Sequence, residues 1–129
     1  MEEALIEAQR GVGRTSPNPA VGAILVHPAL GAIARGWHRG AGLPHAEVEA
    51  LRQLSDPALA RECTLYVTLE PCSTHGRTPP CVDAILQAGI PRVVIGTLDP
   101  NPAHAGRALP LLKAAGVTVR HGVCEVACR

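Results

Sequence analysis

The stretch TLYVTLEPCSTHGRTPPCVDAILQAGIPRVVIG, Thr64 to Gly96, decides the fold. Thr64 to Leu69 is β-branched and apolar and reads as a buried strand, and Arg92 to Gly96 reads as another. Between them, Pro79 or Pro80 suits the first turn of a helix that runs through Val82, Ala84, Ile85 and Leu86, with Gly89 as its terminator. Strand, helix, strand in that order is a parallel βαβ unit. Downstream, Gly106 to Ala115 reads as a further helix ended by Gly116, and Val117 to Arg120 as a last short strand. Upstream, Ala20 to Val26 is apolar apart from Gly22, and Gly31 to Gly36 returns as its hairpin partner after His27-Pro28. Glu2 to Arg10 and His45 to Leu54 are helical by their apolar spacing. An opening hairpin followed by βαβαβ predicts an α/β fold: a mixed sheet whose last three strands are parallel, with helices on both faces.

A chain of 129 residues is close to the usual size of one domain, and one domain spanning residues 1–129 is expected. Hydrophobic residues at 47% against charged residues at 18% exclude an intrinsically disordered chain. Trp37 and Tyr66 are the only aromatic residues, so the core must be built from Ala, Val, Leu and Ile. Twelve basic and eleven acidic residues leave a formal charge of +1, which offers no broad field for gripping nucleic acid. No apolar run approaches a membrane-spanning helix, and Met1-Glu2-Glu3 lacks the basic-then-apolar form of a signal peptide. These features predict a cytoplasmic protein with no nucleic-acid or membrane partner. Five cysteines, an odd number, argue against a closed disulfide framework and direct attention to metal or catalysis.

The chemistry concentrates in two pieces. Pro44-His45-Ala46-Glu47 stands at a predicted helix start, and Glu70-Pro71-Cys72 follows a predicted strand, with Cys81 at the start of the next helix. One imidazole and two thiolates make a three-ligand zinc set: His45, Cys72 and Cys81, with one zinc ion per chain and a fourth position left for water, the open arrangement of a catalytic site. Zinc lowers the pKa of such a water to about 7. Glu47, two residues beyond His45, can reach that water without being a ligand and can carry its proton to a ring nitrogen and then to departing ammonia.

His-x-Glu followed by Pro-Cys-x-x-Cys is the signature of zinc nucleobase deaminases. Here eight residues, Ser73 to Pro80, separate Cys72 and Cys81 where that signature has two. With this insert the chain resembles the deaminase domain of the riboflavin-biosynthesis diaminohydroxyphosphoribosylaminopyrimidine deaminases. The matching motifs are Thr15-Ser16-Pro17-Asn18-Pro19, Gly36-Trp37-His38, Pro44-His45-Ala46-Glu47, Tyr66-Val67-Thr68-Leu69-Glu70-Pro71-Cys72, Gly76-Arg77-Thr78-Pro79-Pro80-Cys81 and Asp99-Pro100-Asn101-Pro102. The resemblance implies a cytidine deaminase-like, three-layer α/β/α fold on a five-stranded mixed sheet. It implies replacement of the 2-amino group of a ribosylated diaminopyrimidinone 5′-phosphate by oxygen, releasing ammonia, with Glu47 as proton shuttle. It places Asn18, His38, Arg77, Asp99 and Asn101 among the substrate-binding residues. Arg77 suits the 5′-phosphate through its planar fork, and Asp99 and Asn101 follow a strand, where ligands gather in open α/β folds.

Family members of this kind continue into a reductase that uses a nicotinamide cofactor. Residues 1–129 hold no such domain and no glycine-rich dinucleotide motif, so no NADP is expected for this chain alone, and association with a reductase domain or subunit is expected. The family also implies a homo-oligomer. Two other readings stand beside this one: a deaminase of cytidine, deoxycytidylate, guanine or transfer-RNA adenosine, and a zinc-stabilised module without catalysis. The insert and the Asp99-Pro100-Asn101-Pro102 loop oppose the first, and the intact Glu47 opposes the second, since folding needs only the ligands. Cys63 is expected buried before its strand, His27 and His104 at the surface, and Trp37 as a structural plug; Cys124 and Cys128 lack a complete ligand set.

Overall fold

The computed structural model describes residues 21–37, 46–69, 81–97, 106 and 108–122. Five strands form one sheet in the order β2-β1-β3-β4-β5. β1 is Gly22–His27, β2 Gly31–Trp37, β3 Thr64–Leu69, β4 Arg92–Thr97 and β5 Thr118–Arg120. β1 pairs antiparallel with both β2 and β3, and β3, β4 and β5 run parallel. This is the mixed sheet expected from the hairpin and the βαβαβ rhythm. A register shift between Leu25 and Val26 inserts Ile33 as an extra residue on β2.

Three helices are described: α1, Ala46–Arg52; α2, Cys81–Ala88; and α3, Ala108–Ala114. α1 lies on β1 and β2 and against α2, and α2 packs in turn on α3. One face of the sheet carries the core: Ala23, Leu25, Ala34, Leu65, Val67, Val93 and Ile95 are buried and join Ala46 and Ala50 of α1, Ile85 of α2 and Leu112 of α3 in one apolar cluster. These are the small and branched aliphatic residues that an almost aromatic-free composition demands. On the opposite face Ile24, 2% exposed, sits across from half-buried Tyr66. The helix expected over Glu2 to Arg10 lies outside the described residues, as do His104, Cys124 and Cys128.

The helix ends follow from glycine. After α2, Gly89 takes a positive φ of 78°; its N–H reaches Leu86 O at 3.2 Å and that of Ile90 reaches Ile85 O at 3.4 Å. This is the Schellman pattern, closed by the apolar pair Ile85 and Ile90. Gly116 repeats it after α3, with Val117 N–H on Leu112 O at 3.0 Å. Both expected terminators therefore act as such. A 3-10 turn over Pro57–Glu62 was not expected; Asp56 caps it, its side chain accepting from Ala58 N–H at 3.0 Å, with proline in the first turn.

His27 corrects an expectation. It is 9% exposed and not a surface residue. Its Nδ1 accepts the N–H groups of Ala29 and Leu30 at 3.0 and 3.2 Å, and its Nε2 lies 2.6 Å from Glu62 Oε2. A ring that accepts from two turn N–H groups and faces a carboxylate is drawn inward by its partners. Cys63 is buried as expected, its Sγ–H directed to Leu59 O at 3.2 Å.

Candidate active site

The register gathers four chain ends at one edge of the sheet. Gly22, at the start of β1, pairs with Trp37, at the end of β2. β1 runs against β3, which puts the end of β3 at the same edge, and Leu69 pairs with Thr97 at the end of β4. Gly22 N–H donates to Thr68 Oγ1 at 3.1 Å and ties the start of β1 to the end of β3. This is the carboxyl edge of the parallel strands, where open α/β folds bind ligands. Strand β2 leads from it toward His38, β3 toward Glu70 and Cys72, and β4 toward Asp99 and Asn101, while Asn18 precedes β1.

Glu47 is the one expected site residue whose side chain is described. It is the second residue of α1 and is 3% exposed. Burial of a carboxylate is costly unless polar groups surround it. Cys81 is the first residue of α2. Because α2 returns the chain to the start of β4, its first residue lies toward the carboxyl edge. Asn18, His38, His45, Cys72, Arg77, Asp99 and Asn101 lie outside the described residues. The structure thus brings α1 with Glu47 against α2 with Cys81.

Two site-shaping residues carried no role in the sequence reading. Thr68, buried near the end of β3, supplies the acceptor for Gly22 that a strand partner would otherwise supply. Gly36 lies directly beneath α1: a Cβ there would come 2.3 Å from Ala46 O and 2.5 Å from Ala50 N. Glycine inside a strand is a signal of close backbone approach, and it was present in the sequence.

The donor set fits zinc by its chemistry: an imidazole and two thiols are borderline-soft ligands, and three of them leave a position open. The model of the cytidine and deoxycytidylate deaminase zinc-binding region matches residues 1–97. A diaminohydroxyphosphoribosylamino-pyrimidine deaminase from Buchnera aphidicola (strain Sg) is 42% identical over 123 residues, 95% of this chain and 82% of that protein. The chain belongs to the riboflavin-biosynthesis deaminases. Within this deaminase family, the riboflavin biosynthesis protein RibD of Escherichia coli is 52% identical over 95% of the chain. A solved deaminase/5-amino-6-(5-phosphoribosylamino)uracil reductase from Thermotoga maritima superposes with a TM-score of 0.89 at 44% identity, covering 99% of this chain and 36% of that one. The chain spans about a third of the length of such RibD relatives. The cytidine deaminase-like fold is therefore shown. Among the described residues no helix is long and apolar enough to cross a membrane.

Proposed function

We propose that the chain hydrolytically deaminates 2,5-diamino-6-ribosylamino-4(3H)-pyrimidinone 5′-phosphate to 5-amino-6-ribosylaminouracil phosphate, releasing ammonia. The observation that supports this reading is the buried carboxylate of Glu47 at the start of α1, two residues beyond His45 in sequence and on a helix that packs against the one Cys81 begins. The 42% identity to a deaminase of this name, over most of that protein's length, supports the substrate.

In this reading His45, Cys72 and Cys81 would hold one zinc ion, which would supply Lewis acidity and bring the pKa of a water down to about 7. Glu47 removes a proton from the attacking water. It delivers that proton first to a ring nitrogen, which makes the ring carbon more electrophilic; it then takes the proton of the hydroxyl added to that carbon and passes it to the exocyclic amine, so that the carbonyl forms as the C–N bond breaks and ammonia leaves. Burial keeps the carboxylate away from bulk water, so the protons it moves come from the reacting molecules. Asn18, His38, Asp99 and Asn101 orient ring and ribose, and Arg77 pairs with the 5′-phosphate. The same reading places the chain in the cytoplasm as a homo-oligomer. It also joins the chain to a reductase domain or subunit, as the double name of the T. maritima relative suggests.

The test is metal content followed by ammonia release. One zinc per chain is expected, with release from the diaminopyrimidinone ribotide far exceeding that from cytidine, deoxycytidylate or guanine. Glu47→Gln is expected to keep its zinc and lose about 10²–10⁴-fold in kcat. Release from another ring in preference, or near wild-type turnover by Glu47→Gln, sinks the reading.

A further inference from the structure

We propose that Gly36 is the positioning residue of this active site: its missing side chain lets the backbone of α1 seat directly on β2 and so fixes where Glu47 stands. The inference rests on the deaminase reading above and adds a residue to it.

The evidence is steric. A Cβ on Gly36 would meet Ala46 O at 2.3 Å, Ala50 N at 2.5 Å and Glu49 Cβ at 2.9 Å. Two of these three neighbours are helix backbone, which no side-chain rotation moves aside. Even alanine at this position forces α1 away from the sheet by about 1 Å, the overlap beyond ordinary contact. The seat is otherwise built from small residues: Ala46 and Ala50, one turn apart on α1, are fully buried, and so is Ala34 on β2 to within 4%. Small residues on both surfaces bring helix and strand together more closely than any branched pair allows.

The contact bears on the reacting end of the helix. Ala46, whose carbonyl lies nearest, separates His45 from Glu47 in the sequence. A displacement of Ala46 is therefore passed to both neighbours through the backbone. Misplacement of about 1 Å at a reacting group can cost about 10²-fold in rate, and disturbing the support of a metal ligand costs about 10–100-fold in affinity. Gly36 touches neither substrate nor metal; it acts through the helix.

The experiment compares Gly36→Ala with Leu112→Ala in the full chain. Leu112 is fully buried on α3, away from the carboxyl edge, and its truncation matches a general loss of stability. Zinc affinity is read by competition with a chromophoric chelator, and kcat and KM by ammonia release, at a temperature where each variant is folded by circular dichroism. Gly36→Ala is expected to bind zinc at least about 10-fold more weakly and, when saturated with zinc, to lose at least about 10-fold in kcat with KM within about threefold. Leu112→Ala is expected to melt earlier with both values within about twofold. A folded Gly36→Ala with wild-type zinc affinity and kcat overturns the proposal, as does an equal loss in Leu112→Ala. Should Gly36→Ala not fold, Ala50→Val opens the same seat one turn further along α1, and a folded Ala50→Val with wild-type kcat and zinc affinity overturns the proposal as well. Wild-type protein that binds zinc but releases no ammonia from the ribotide sinks the substrate reading alone, with the zinc affinities still deciding Gly36. A wild-type chain that takes up no zinc overturns both.

Discussion

His27 shows how much one side chain can organise. Its Nδ1 accepts two N–H groups of the β1–β2 turn, which leaves the ring proton on Nε2, where it donates to Glu62 at 2.6 Å. Replacing the ring removes the shared partner of two turn N–H groups and of the exposed Glu62 carboxylate together. His27→Ala is expected to lower stability by about 1–3 kcal/mol, and His27→Asn, whose carbonyl can accept from the N–H two residues on, to recover part of it. Urea unfolding midpoints of the three proteins check this. Cys63, next to Glu62, gives a pH test. Burial, and then the charge of Glu62, raise its thiol pKa above the ordinary 9.0. The unfolded chain therefore releases this proton at lower pH than the folded one, and stability falls as pH rises through and beyond that value. The stability advantage of wild type over Cys63→Ala is expected to narrow between about pH 8 and about pH 10. An advantage that stays constant over that range contradicts the shift.

At the scale of elements, Thr68 joins two strand ends that the ladder leaves unjoined. Thr68→Val keeps the shape and removes the acceptor, so the buried N–H of Gly22 loses its partner. A cost of about 1–3 kcal/mol is expected, with faster hydrogen exchange at Gly22 and Ala23, and recovery in Thr68→Ser. Unchanged exchange at Gly22 contradicts this role. Such bonds are invisible in a sequence because they join residues 46 apart. The elements themselves were legible where one rule dominated. The bounds of β3, Thr64 and Leu69, are legible because β-branched and apolar residues run up to the Glu70-Pro71 break there. The ends of α2 and α3 were legible because only glycine enters the required positive φ cheaply. The 3-10 turn escaped because six residues headed by Asp56-Pro57 look like any loop and are too few to show a period.

For the whole molecule, the site was legible as chemistry and not as geometry. His45, Glu47, Cys72 and Cys81 declare themselves by residue type and spacing, while the topology brings the strand ends on which the chain enters those motifs to one edge: an antiparallel hairpin and a parallel unit share it. Gly36 stands in the Gly36-Trp37-His38 stretch, where a strand glycine announces a close neighbour but not which one. The same topology decides what metal removal does. The apolar cluster runs through β1, β2, β3, β4 and all three described helices, so most of the core closes without any ion. Treatment with a chelator is expected to abolish ammonia release, to leave the far-UV circular dichroism nearly unchanged, and to lower the melting temperature, since an ion bound only by the native state stabilises it by mass action. Added zinc should restore both activity and melting temperature. Loss of the far-UV signal on chelation would instead make the ion a folding element, as in small metal-dependent domains, and together with absent turnover would favour the zinc-stabilised module over the enzyme.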